Sequence, residues 1–297
     1  MLFLLLALLF CDLRKGNETL MTFDKEKVQK LKTIGNALRK NVVYSMGIDY
    51  PGHIGGSFSA ADIMAALYFS KMKHDPKNRY MKERDRLILS KGHVAILQYA
   101  ALAEAGYFSK EELQHTKTIH SNLQGHPDLL KSGHLGIEAG TGSLGQGLSI
   151  GVGMALGLRL DGLLSKTYVL LGDGELAEGQ VWEAAMAAKV YALDNLVAIV
   201  DKNHKQAQGS VKERFDINPI SEKWQAFGWN VIEINGHNME EILQGLDEAD
   251  EVKGKPSVII AHTIKGKGFD QAETHMAGMH NAPLTKEQYA QVMAKLS

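Results

Sequence analysis

The sequence predicts an α/β fold, a parallel sheet flanked by helices on both faces. Two observations lead there: short apolar, β-rich runs alternate with helical patterns along most of the chain, and one stretch reads directly as strand, turn, helix, strand. No repeat, low-complexity region or Pro/Gly/Ser linker interrupts the alternation, so one domain is the economical reading. In chain order, helical patterns occupy Lys25 to Ser45, Ala60 to Lys73 and Val94 to Ala105, the last two carrying Ala, Leu, Ile and Met at three-four spacing. Arg86 to Leu89 reads as a buried strand. Gly140 to Gly157 holds seven glycines, at 140, 142, 145, 147, 151, 153 and 157. Its second half, with Ile150, Val152, Met154, Leu156 and Leu158, suits a buried helix whose Gly151, Gly153 and Gly157 let another helix approach closely. Thr167 to Gly172, Val181 to Leu193 and Leu196 to Val200 form the strand–helix–strand unit, which ends in Asp201-Lys202-Asn203. A helix around Ser221 to Phe227, a strand at Asn230 to Ile234, a helix at Met239 to Val252 and a strand at Ser257 to Thr263 continue the pattern.

Composition excludes some classes of function. The 297 residues are 44% apolar, ample for a sizeable core, and a net charge of −1 offers no electrostatic argument for nucleic acid or an anionic membrane surface. The single cysteine, Cys11, excludes an intrachain disulfide framework and points to a reducing, cytoplasmic compartment. Met1 to Phe10 is entirely apolar but too short to span a bilayer, and no basic residue precedes it as a secretory signal would require. Met21 is followed by the charged amphipathic stretch Asp24 to Arg39. Residues 1–20 are therefore expected to be an upstream extension and residues 21–297 the domain.

The chemistry centres on Gly172-Asp173-Gly174, at the end of an apolar strand, and on Asn203, 29 residues after Gly174. A carboxylate and a neutral amide oxygen suit Mg²⁺, which prefers hard oxygens and usually keeps diphosphate oxygens in its shell. Gly172 and Gly174 let the backbone turn sharply and bring its N–H groups close to a phosphate. Taken alone, Gly-Asp-Gly is a weak signal that reads more readily as a tight turn after a strand. The strand ends on which Asp173 and Asn203 fall are where open parallel sheets bind ligands.

The stretch from Gly172-Asp173-Gly174-Glu175 to Asn203 resembles the cofactor motif of the thiamine diphosphate enzymes, and further segments are similar to transketolases. These are Pro51 to Ser57 (Pro-Gly-His-Ile-Gly-Gly-Ser), Arg84 to His93, Gln124 to Pro127, Thr141 to Gly147 and His280 to Leu284, in that order. The resemblance covers about Asp24 to Leu296, yet only the amino-terminal, diphosphate-binding part of a usual transketolase. It implies a thiamine diphosphate-binding fold, thiamine diphosphate with Mg²⁺ (Ca²⁺ or Mn²⁺ being substitutes), and transfer of a two-carbon ketol unit from a ketose phosphate to an aldose phosphate. It also implies a separate carboxyl-terminal subunit carrying the pyrimidine-binding domain, in an α2β2 heterotetramer.

Residue by residue, the resemblance assigns the metal to Asp173, Asn203 and the backbone carbonyl of Lys205. It assigns the cofactor to His93, Gly142, Leu144, Gly172, Asp173, Gly174, Glu178, Asn203 and His280, with Leu144 touching the thiazolium ring. His53, His93, His126 and His280 are the implied catalytic set in the substrate channel, a task suited to imidazole because its charge changes near neutral pH. Ser143 departs from the family, where proline is common. Glu178 and Glu183 match an acidic network across the family's dimer interface, where carboxylates are expected to have raised pKa values; favourable charge at a helix start accounts for them equally well. The remaining histidines, His237 among them, are expected to be surface or satisfied core residues, and no His pair has the helical spacing of an HExxH zinc site. Three other readings remain open: a 2-oxo acid dehydrogenase α chain, a deoxyxylulose phosphate synthase-like protein, and a non-catalytic cofactor-binding regulatory protein.

Overall fold

The computed structural model describes residues 23–48, 50–207, 209–274 and 281–296; the apolar extension 1–20, His275 and His280 lie outside them. Five parallel strands form the central sheet: β1 (Arg86–Leu89), β2 (Thr167–Gly172), β3 (Leu196–Lys202), β6 (Asn230–Asn235) and β7 (Ser257–His262). Their spatial order is β1-β2-β3-β7-β6. A two-residue antiparallel ladder, β4 (Lys205–Gln206) with β5 (Gly209–Ser210), sits beyond the end of β3.

The strands are apolar almost throughout because both faces are covered. Leu87, Leu89, Tyr168, Leu170, Val197, Ile199 and Ile259 point to one side, into a core shared with helices α1 (Lys25–Met46), α3 (Ala61–Ala66), α4 (Ala95–Glu104) and α8 (Met239–Glu251). Ile88, Val169, Leu171, Ala198, Val200, Val258 and Ile260 point to the other, against helices α5 (Gln146–Leu160), α6 (Gly179–Val190) and α7 (Ile220–Ala226). The two-residue side-chain period of a strand thus fills two separate cores.

The expected α/β architecture is the observed one; two local expectations need correction and one helix was not expected. The helix expected from Ala60 to Lys73 is preceded by another, α2 (Ile54–Ser59), and closes in a wider π-type turn over Leu67–Lys71. The Gly-Gly pair at 55 and 56 obscured α2, which is helical because all six of its residues are buried; packing overrides propensity there. Of Gly151, Gly153 and Gly157, only Gly151 is closely packed among the described residues: a Cβ there would meet Val169 at 2.5 Å, whereas one at Gly153 or Gly157 would meet nothing within 4 Å. Finally, a helix at Lys286–Lys295 closes the chain behind a Thr285–Gln288 capping box. No helix among the described residues is long and apolar enough to cross a membrane.

Candidate active site

The carboxyl ends of β1, β2, β3 and β7 converge on one cavity of about 440 Å³. Its lining includes His53, Lys91, His93, Gly142, Leu144, Gly172, Asp173, Gly174, Glu178, Asn203, Lys205 and Lys265. The structure therefore brings together nearly all the described residues singled out by sequence. His126 is the exception: its ring packs on Gly142 from the far side and lines a neighbouring crevice of about 630 Å³ with Gln124, Pro127 and Gln146.

Asp173, which is 3% exposed, accepts backbone hydrogen bonds from Gly174 N at 2.8 Å and His204 N at 2.5 Å. Burial, then the nearby charge of Asp201, pushes its carboxyl up to about 6. Asp201 differs because Lys91 lies 2.5 Å away. Burial alone would raise its pKa, yet the Lys91 charge and bonds from Lys91, Ser59 and Thr263 hold it below the usual carboxylate range. Asp201 also accepts the Asn203 amide N–H at 2.9 Å, which turns the Asn203 Oδ1 the other way, towards Lys205 N at 3.1 Å. The buried Lys91–Asp201 pair thus fixes which face the Asn203 amide presents.

Glu175 ties three segments into one floor. Its carboxylate accepts from Ser90 Oγ at 2.5 Å, Gly145 N at 2.8 Å and Gly172 N at 3.0 Å, joining the ends of β1 and β2 to the glycine loop. Gly145, at φ +86°, opens α5 with its Cβ position 2.7 Å from Glu178, and Gly142, at φ +152°, has its Cβ position 2.8 Å from the His126 ring. A side chain at either would displace the loop beneath Leu144. His53 and His93 stand edge to face, their ring centroids 5.0 Å apart. Glu178 occupies the first position before α6 and is exposed, as is Glu183.

Lys265, Lys91, Asp201 and Glu175 carry much of this arrangement and were not assigned roles from sequence. Lys265, 5% exposed, donates its ammonium to the Lys205 carbonyl at 3.0 Å, and burial lowers its pKa to about 8. The donor set fits a divalent cation together with a diphosphate: one carboxylate, one amide oxygen and one carbonyl leave a dication short of oxygens, and a lysine lies beside them to meet anionic ones. Among the described residues no three His, Cys, Asp or Glu side chains group into a self-sufficient metal site.

Fold and site together define a doubly covered α/β domain with a polar cleft at its carboxyl edge, lined by Asp173, Asn203, Lys91 and Lys265. Residues 31–297 match the family model of the transketolase, thiamine diphosphate binding domain. The chain is 45% identical over 261 residues to the 6-deoxy-6-sulfo-D-fructose transketolase subunit SqwG of Clostridium sp., covering 88% of this chain and 94% of that one. It is 40% identical over 271 residues to one of the named subunits of the apulose-4-phosphate transketolase of Phocaeicola vulgatus, covering 91% and 95%. Human transketolase is 39% identical over 277 residues, covering 92% of this chain but 43% of its own. The crystal structure of Campylobacter jejuni transketolase superposes with a TM-score of 0.82 at 34% identity, again covering 91% and 43%. The chain belongs to the transketolase family and corresponds to its amino-terminal, thiamine diphosphate-binding part. These relatives favour the transketolase reading over a 2-oxo acid dehydrogenase chain, a deoxyxylulose phosphate synthase or a regulatory protein. The chain spans about two fifths of the length of the solved transketolases.

Proposed function

We propose that this chain is the amino-terminal subunit of a two-chain transketolase. With a separate subunit carrying the pyrimidine-binding domain, in an α2β2 assembly, it transfers a two-carbon ketol unit between sugars, using thiamine diphosphate and Mg²⁺. The observation that carries this is the convergence of Asp173, Asn203, the Lys205 carbonyl and Lys265 in one cleft floored by the Gly142–Gly145 loop. Relatives of matching length that are named as subunits support the two-chain arrangement.

In this reading Asp173, the Asn203 amide oxygen and the Lys205 carbonyl hold the cation, while Lys265 neutralises diphosphate oxygens. Gly172, Gly174 and Gly142 let backbone approach the cofactor, and Leu144 supports its ring. When bound, thiamine diphosphate supplies the electron sink for breaking the bond beside a ketose carbonyl. His53, His93, His126 and His280 orient sugar hydroxyls and hold or return protons at their oxygens. Glu178 and Glu183, exposed on this chain, face the rest of the assembly. Phosphorylated pentoses, a branched sugar phosphate and a sulfonated sugar all fit this half-site, because the grip on the anionic end is assigned to the other subunit.

The test is recovery of the carboxyl-tagged chain from its own host with mass analysis of what accompanies it. A stoichiometric second chain homologous to the missing transketolase portion is expected. Recovery of this chain alone, in an assembly that binds no thiamine diphosphate, refutes the proposal.

A further inference from the structure

The loop that delivers Lys265 is held by a chain of bonds leading out of the cleft. Ile264 N–H donates to His237 Nε2 at 2.9 Å. A backbone N–H can only donate, so that ring nitrogen bears the lone pair and the proton of the neutral imidazole lies on Nδ1. His237 Nδ1 then donates to Asp62 Oδ2, 2.9 Å away. Asp62 is fixed in turn by Arg39, whose two terminal nitrogens reach its oxygens at 2.8 and 2.7 Å, one of them also donating to the Phe58 carbonyl at 3.0 Å. Arg39 on α1, Asp62 on α3 and His237 after β6 thus end on the residue immediately before Lys265.

We infer that His237 is a positioning residue: its Nε2 fixes the Ile264 backbone and so sets where Lys265 presents its ammonium. The inference rests on the proposed cofactor site. Ile264 is 43% exposed and does not anchor the loop by burial, so the backbone bonds must. Thr263 N is held by the Lys202 carbonyl at 3.1 Å and Gly266 N by the Gly55 carbonyl at 2.9 Å, which ties the same loop to the helix that follows His53. Lys265 is thereby suspended between anchored neighbours, as a side chain aimed at a fixed ligand oxygen requires.

Amide replacements separate the two bonds of His237. Gln can place an oxygen near the Nε2 position and keep the Ile264 bond; Asn can place its N–H near Nδ1 and keep only the Asp62 bond. In the assembled enzyme at fixed Mg²⁺, His237→Asn is expected to weaken thiamine diphosphate binding ~10-fold and His237→Gln much less. In a Lys265→Ala background, His237→Asn should add almost nothing, because the two act in series. Equal effects of Asn and Gln, or full additivity with Lys265→Ala, overturn the inference. Ring ¹⁵N shifts of the wild-type chain test it without a variant: Nε2 unprotonated is expected, and a ring protonated at Nε2 overturns it. Failure of the wild-type assembly to bind thiamine diphosphate would instead overturn the proposed function beneath it.

Discussion

The Lys265 ammonium lies 3.0 Å from the Lys205 carbonyl oxygen, the atom that the metal assignment reserves for a divalent cation. One cation therefore already satisfies that oxygen, and a dication together with a diphosphate would draw the lysine towards phosphate oxygens. Lys265→Ala should leave the fold intact and weaken thiamine diphosphate binding ~10–100-fold, the range for hydrogen bonds to charged groups. Calorimetric titration of the assembled enzyme at constant Mg²⁺ measures this; unchanged affinity would remove Lys265 from the site.

Asp173→Ala is expected to abolish the Mg²⁺ dependence of cofactor binding while raising the stability of the metal-free chain. A carboxyl raised from 3.8 to about 6 by burial destabilises the fold once it ionises, by ~3 kcal/mol at neutral pH. The sign follows from the raised pKa: the native state holds this proton more tightly, so its relative stability falls as pH rises from 3.8 through about 6. Denaturant titrations at pH 5 and pH 7.5 should show the variant gaining on wild type at the higher pH.

Partial burial, then the Lys117 charge, holds the His126 imidazole below its ordinary 6.5. Lys117→Met should move the His126 titration upward in an NMR pH series. No movement would mean that Lys117, whose ammonium also donates to the Pro51 carbonyl at 2.6 Å, does not influence this ring.

Gly151 and Gly153 share a helix and should respond oppositely to alanine. Gly151→Ala forces a methyl group onto Val169 and should cost ~1–3 kcal/mol. Gly153→Ala meets nothing among the described residues and should stabilise the chain by ~0.5–1 kcal/mol through helix propensity. Thermal unfolding of both variants separates the cases; equal destabilisation would contradict the packing described for α5.

Much of this was legible in sequence for a physical reason. Strands buried on both faces need unbroken apolar runs, so β2 and β3 stood out, and Asp173 and Asn203 followed because they terminate those runs. Lys265 was not legible: its meaning depends on β7 pairing beside β3, although 54 residues separate Lys202 from Ser257 in the chain. A lysine in Lys-Gly-Lys-Gly has no diagnostic spacing without that adjacency. The helix Ile54–Ser59 was hidden by its glycines, and Gly153 and Gly157 looked like packing residues because periodicity cannot say whether a neighbour is present.

The central claim is that this chain supplies the cofactor-binding half of a transketolase and needs a second chain for turnover. It is tested most directly by measuring ketol transfer with the chain alone, with its co-purifying chain, and with that chain plus the Asp173→Ala variant. Activity only in the wild-type pair is predicted. Turnover by the chain alone, or a pair that binds thiamine diphosphate and Mg²⁺ yet cleaves no ketose, would contradict it.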